Sequence, residues 1–310
     1  MQAVQAPMLR PLGVGDVLDR TFTVYRSKPL IFIGISAIWY LLLFLVFIVL
    51  GAIIFAGSLS AFARQATTPS PEFVAGAIVG IIGFGIVAVV VAIFLFSAQS
   101  AGIVHAAARR YLAREVTIGE SFRAGLSAAG RLFFAGLLVF LAIAALWLLV
   151  FVIGGIAAAV AREPVAGVLV IGLGVIVAIA GTFYLAASWL VAPVIVVVEK
   201  LGPIAALGRS WRLSSGSRWR IIGIQALLGI LNLVLSLLIG GIFGGLAAAG
   251  QTEQPGQFGV STVVQTLVNL ASTIIWAPVE WIAFTILYYD LRVRKEAFDL
   301  QLAAEALPQS

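Results

Sequence analysis

Few residues in this chain have the type and spacing that chemistry needs. There is one histidine and no cysteine, so no His/Cys set can hold a metal. No HExxH, GxSxG or GxxxxGK[ST] pattern occurs, which leaves no expected catalytic residue, metal or cofactor. His105 stands beside Arg109 and Arg110 at the end of an apolar run. It reads as an interfacial residue rather than a base. Glu280 is different: it is the ionisable residue set well inside an apolar run. Ten residues separate it from Asp290, about 15 Å along a regular helix. A carboxylate at such depth costs about 3 kcal/mol on insertion scales, so it calls for a reason.

Polar neighbours accompany it. Gln265, Asn269, Ser272, Trp276 and Glu280 follow one another at steps of four, three, four and four, one helical face. Gln225, Asn232 and Ser236 share a face of the preceding run, at steps of seven and four. Two such stripes facing each other would make a polar cavity or a proton-linked site. The simpler reading, and the one that amides and serines favour, is interhelical hydrogen bonding, at about 0.6 kcal/mol per contact. For Glu280 itself both readings stay open.

The elements that position these side chains are set by composition. Of 310 residues, 62% are hydrophobic and 10% charged, with a mean hydropathy of +1.14. Soluble domains carry about 25% charge. The chain therefore reads as all-α, a polytopic membrane helix bundle. The net charge of +6 sits beside the apolar runs, which points to anionic lipid and away from nucleic acid. Residues 1–29 hold no apolar core and do not read as a signal peptide.

Six apolar runs follow, at about Leu30–Phe55, Phe73–Val104, Leu132–Val160, Val165–Val198, Ile221–Ala249 and Val260–Tyr289. Each is long enough to cross about 30 Å of hydrocarbon. The fourth is too long for a simple upright span, and Pro193 is placed to kink it. Three amphipathic juxtamembrane helices precede the first, third and fifth runs. One covers Gly13 to Ser27; one opens at Thr117, with Glu120 at capping-box spacing; one lies within Glu199 to Arg220. In the last, Leu201, Ile204, Leu207, Gly208 and Trp211 share a side, Pro203 suits the first turn, and Gly216 suits the end. Such helices are expected to lie flat on the membrane, apolar side down.

Amphipathic helix, span, short loop, span: this order recurs three times. It gives a tail at 1–12, a six-span domain at 13–291 with hairpin-like repeats near 13–104, 117–198 and 202–291, and a cytoplasmic tail at 292–310. Of 19 lysines and arginines, 17 fall in the two terminal segments and the two amphipathic connectors, against 2 in the other loops. Both termini and both connectors are thus expected on the cytoplasmic side of a bacterial plasma membrane. The glycine pairs Gly76/Gly80 and Gly240/Gly244 have the spacing of close helix packing.

Two segments, Arg10 to Arg26 (RPLGVGDVLDRTFTVYR) and Ala205 to Arg220 (AALGRSWRLSSGSRWR), carry a resemblance. They look like the membrane domain attached to some glycerophosphoryl diester phosphodiesterases, a domain that also occurs alone in bacterial multi-pass proteins. The resemblance covers roughly Arg10 to Arg294. It implies a membrane module without the enzyme, since the phosphodiester chemistry of those proteins belongs to a separate barrel domain. No catalytic residue carries over.

The expected function is therefore a non-enzymatic membrane protein, a scaffold or partner-binding module that touches the anionic inner leaflet and another membrane or envelope protein. Its expected headgroup contacts are Arg20, Arg26, Arg123, Arg209, Arg212, Arg218 and Arg220, each contributing about 1 kcal/mol near an anionic surface. The alternative is a small-solute or lipid transporter with Glu280, Trp276, Asn269, Gln265, Asn232 and Gln225 in its passage. What separates the two is whether the fifth and sixth spans enclose a cavity that reaches Glu280.

Overall fold

The computed structural model describes residues 10–64, 70–161, 164–249 and 260–305, and within them every element is helical. The helices are α1 (Val14–Ser27), α2 (Pro29–Arg64), α3 (Pro71–Tyr111), α4 (Ile118–Ala161), α5 (Pro164–Trp189), α6 (Ala192–Val198), α7 (Pro203–Ser214), α8 (Arg218–Ala249), α9 (Val260–Glu296) and α10 (Phe298–Glu305). Six stretches are long and apolar enough to cross a bilayer: within α2, α3, α4, α5 with α6, α8 and α9. Leu41, Phe44, Ile48, Val79, Ile82, Phe140, Leu148, Leu173 and Leu237 are all exposed on them. In water that surface would be untenable; in hydrocarbon it is the correct outer face. The protein is an all-α, multi-pass integral membrane protein.

The last span is the most buried of the six. α9 packs on α8, α2, α3 and α1, and α3 in turn on α4, which pairs with α5. From Ile282 to Leu291 the inner face of α9 is closed, with Ile282, Ile286, Leu287, Tyr288 and Tyr289 almost wholly buried.

Two of the three amphipathic stretches are separate helices. α1 starts where the Gly13 N–H donates to Asp16 Oδ2 at 2.8 Å, and its face of Val17, Thr21 and Val24 is buried against the bundle, chiefly on α9. The expected lipid-facing side of α1 is thus a protein-packing side. In α7 the buried face is Ala206, Ser210, Leu213 and Ser214, while Ile204 and Trp211 are exposed. The second stretch is no separate helix. Thr117 caps it as expected, accepting from the Glu120 N–H at 3.2 Å, but α4 runs on unbroken from Ile118 into the third span. Nothing between Ile118 and Leu132 ends a helix, so propagation wins over a hinge.

The fourth span does break. α5 ends at Trp189 and α6 begins at Ala192 with Pro193 in its first turn, where a missing N–H does no harm. The break frees the Ser188 carbonyl. The hydroxyls of Ser210 and Ser214, one turn apart on α7, donate to it at 2.8 and 3.1 Å. By contrast, α9 continues through Pro278. The Tyr25 hydroxyl of α1 donates to the nearby Ile275 carbonyl at 3.2 Å.

Close glycine packing occurs, but elsewhere than expected. Among the described residues, a methyl group at Gly76, Gly80 or Gly240 would meet nothing within 4 Å, whereas one at Gly125 would lie 2.4 Å from the Ala98 carbonyl oxygen. Gly102 and Gly125 let α3 and α4 touch backbone to backbone, and Gly154 and Gly174 bring α5 against α4. Gly244 lies outside the residues whose surroundings are described.

Candidate functional site

The basic segments meet at one end of the bundle, and acids on α9 draw them there. Asp290 is almost fully buried. Its Oδ1 accepts the Leu12 N–H at 2.7 Å, and its carboxylate pairs with Arg220 and Arg294. Both arginines also donate to the Leu12 carbonyl at 2.6 Å. Leu12, the last residue of the expected N-terminal tail, is therefore pinned to the bundle and only 3% exposed. Nearby, Arg209 bonds Glu199 at 3.1 Å and both oxygens of Glu296. The Glu296 hydrogen bonds, with those of Glu199, hold the Arg209 guanidinium above even its ordinary pKa range. Arg131 reaches the Lys200 carbonyl at 2.8 Å. Lys295 donates to the Arg212 and Ser215 carbonyls at 3.0 and 2.6 Å, closing the C-terminus of α7. Residues 292–296, expected in the tail, are thus the working end of α9.

These bonds correct part of the headgroup list. Arg209 and Arg220 are committed to buried or half-buried acids. Arg218 bonds Ser188 Oγ and the Tyr184 hydroxyl, both at 2.7 Å, and lies 4.5 Å from the Tyr184 and Trp211 ring centroids. A guanidinium already surrounded by partners has little left for phosphate. Arg20, Arg26, Arg123 and Arg212 are exposed, and among the described residues their side chains make no ion pair.

The polar stripes of α8 and α9 do face each other. Between them is a chamber of about 380 Å³, lined by Asn232 and Ser236 of α8 and by Asn269, Ser272, Thr273, Trp276 and Glu280 of α9. Tyr40 of α2 and Phe96 of α3 complete it. The Trp276 indole N–H donates to Glu280 Oε1 at 2.8 Å, which fixes the carboxylate one turn below the ring. Gln265 donates to Asn269 Oδ1 at 3.2 Å from one turn further along the stripe. Gln225 is not in this group; it lines a second, apolar cavity.

Tyr40 and Phe96 carried no signal, because α2 and α3 are apolar all round and show no face. Tyr40 also interacts with the buried Gln99 and stands within electrostatic range of Glu280. Among the described residues, Gln99 Nε2 has no hydrogen-bond partner. The chamber runs from Glu280 away from the basic end: Asn269 lies 21 residues before Asp290, about 31 Å along the helix. Toward the basic end, the buried stretch Ile282–Tyr289 closes it.

A family model described as Domain of unknown function (DUF8558) matches residues 1–296. The chain belongs to the DUF8558 family. The match takes in the Leu12 clamp, the chamber and the basic end of α9, so these features lie within the family's own domain. No curated protein and no solved structure matches the chain.

Proposed function

We propose that this DUF8558 protein binds a small polar solute or lipid headgroup inside the bilayer, at Glu280, and passes it across. The observation that carries this reading is the chamber: a carboxylate, two amides and four hydroxyls line about 380 Å³ of space between apolar helices. Interhelical bonding alone needs those groups in contact with one another. Here Asn232 and Ser236 face Asn269, Ser272 and Glu280 across a gap. A chamber that extends from Glu280 away from the arginines, above a buried stretch of α9, suits one state of an alternating-access carrier.

On this reading the protein is non-enzymatic, sits in a bacterial plasma membrane with both termini cytoplasmic, and opens its chamber outward. The resemblance to the phosphodiesterase membrane domain belongs to the same proposal and fits a lipid-facing role. Proteoliposomes challenged in turn with small amines, zwitterions and polyols test it. At least one should give uptake that Glu280→Gln abolishes. Uptake by none, or equal uptake by the variant, would contradict it.

The scaffold reading rests on a separate observation. Arg20, Arg26, Arg123 and Arg212 are exposed at the basic end, where Trp219 and Ile204 are 86% and 78% exposed. Cation and ring together suit an anionic leaflet. In this reading they anchor the bundle to inner-leaflet lipid beside a membrane or envelope partner. Replacing the four arginines with glutamine should halve or further reduce recovery of the reconstituted protein in anionic over neutral vesicles; no change would remove the support.

A further inference from the structure

The second cavity, of about 650 Å³, lies among α3, α4, the α5–α6 break, α8 and α9. Leu190 and Pro193 at the break, and Ala135 and Gly136 of α4, line it. Its few polar groups are Ser97, Ser100 and Gln225, with the indoles of Trp189 and Trp281. Phe96 and Trp281 line both cavities. Their ring centroids are 6.1 Å apart, so this pair is the wall between a polar chamber and an apolar one. Each volume falls within the roughly 300–1,000 Å³ of small-molecule sites.

The polar side has a definite preference. Glu280 is acceptor-only when ionised, and the rings of Tyr40, Phe96, Trp276 and Trp281 line the same space. A carboxylate among aromatic faces suits a cation, above all an ammonium, which gains from the ring quadrupoles. An anion would meet repulsion there. The apolar side suits hydrocarbon.

Resting on the proposed function, we infer that the ligand class is an amphiphilic ammonium compound. Its cationic head sits at Glu280, and its chain enters the apolar cavity by parting the Phe96 and Trp281 rings that separate the two. This gives the break in the fourth span a purpose, since Leu190 and Pro193 make room for the chain.

The test uses the full chain in phosphatidylglycerol nanodiscs, which supply no amine, with empty discs subtracting membrane partition. Tryptophan quenching is read with trimethylammonium probes bearing methyl, butyl, octyl and dodecyl chains, and with alkyl sulfates of equal length. The ammonium series should bind more tightly with chain length, and the sulfates at least tenfold more weakly. Glu280→Gln should remove that preference, and Glu280→Asp should keep part of it. Gly136→Phe should weaken the dodecyl probe at least tenfold and leave tetramethylammonium unchanged; a side chain there has open space.

Equal binding of ammonium and sulfate, or ammonium binding indifferent to Glu280, would overturn the inference. So would Glu280-dependent binding that ignores chain length and Gly136→Phe; the polar chamber would then stand without its tail cavity. Competition by added phosphatidylethanolamine would identify the source as membrane lipid. Its absence would identify a single-chain amphiphile, and either result supports the class.

Discussion

Leu12 and Asp290 are joined across 278 residues of sequence by a 2.7 Å hydrogen bond from a backbone N–H to a buried carboxylate. That bond, with Arg220 and Arg294 on the same carboxylate and on the Leu12 carbonyl, ties the N-terminal segment, the α7–α8 junction and the last span into one unit.

Asp290→Ala should therefore be among the most damaging single changes. It leaves two arginines without their acid and the Leu12 N–H without an acceptor. Breaking a buried pair from one side costs about 3–5 kcal/mol. Thermal unfolding in detergent should show a large fall in Tm for Asp290→Ala and a smaller one for Asp290→Asn, which keeps an acceptor.

Glycine positions should divide into two classes. Gly125→Ala places a methyl 2.4 Å from a backbone oxygen of α3, and forcing the helices apart should cost about 1–3 kcal/mol. Gly76→Ala and Gly80→Ala meet nothing among the described residues and should be neutral or gain up to about 1 kcal/mol from helix propensity. Tm values of the three variants in one detergent check the order.

Three turns hold strain that glycine would relieve. Ala113, Lys200 and Ala297 have φ of 55°, 57° and 49° and follow α3, α6 and α9, the helices that end the three hairpins. The left-handed region costs a non-glycine residue about 1–2 kcal/mol. Ala297→Gly should raise Tm, and Gly216→Ala, at φ +73°, should lower it. The opposite signs would refute this view of the turns.

Much of this fold was legible because hydrocarbon imposes simple rules. Run length gave six spans, and arginine and lysine positions marked the segments that do gather at one end. Within α9, the spacing of Asn269, Ser272, Trp276 and Glu280 announced a polar face, since polarity stands out in an apolar helix. The same contrast failed for Tyr40 and Phe96. Partner choice was not legible either. A count of arginines cannot tell that Arg209 meets Glu296, 87 residues away, while Arg212 stays exposed. Nor does small-xxx-small spacing say which glycine meets a neighbour. Gly76 and Gly80 had the pattern, and Gly125 had the contact.

The most direct test of the chamber exploits a chain without cysteine. Ser272→Cys adds a single thiol to the chamber wall with little change of shape, and Leu237→Cys puts one on the exposed apolar surface. Both are treated in native membranes with impermeant thiosulfonate reagents, one cationic and one anionic. Ser272→Cys should react, roughly tenfold faster with the cation because of Glu280, and Glu280→Gln should erase the difference. A Ser272→Cys protein as inert to both reagents as Leu237→Cys would contradict a hydrated, acidic chamber.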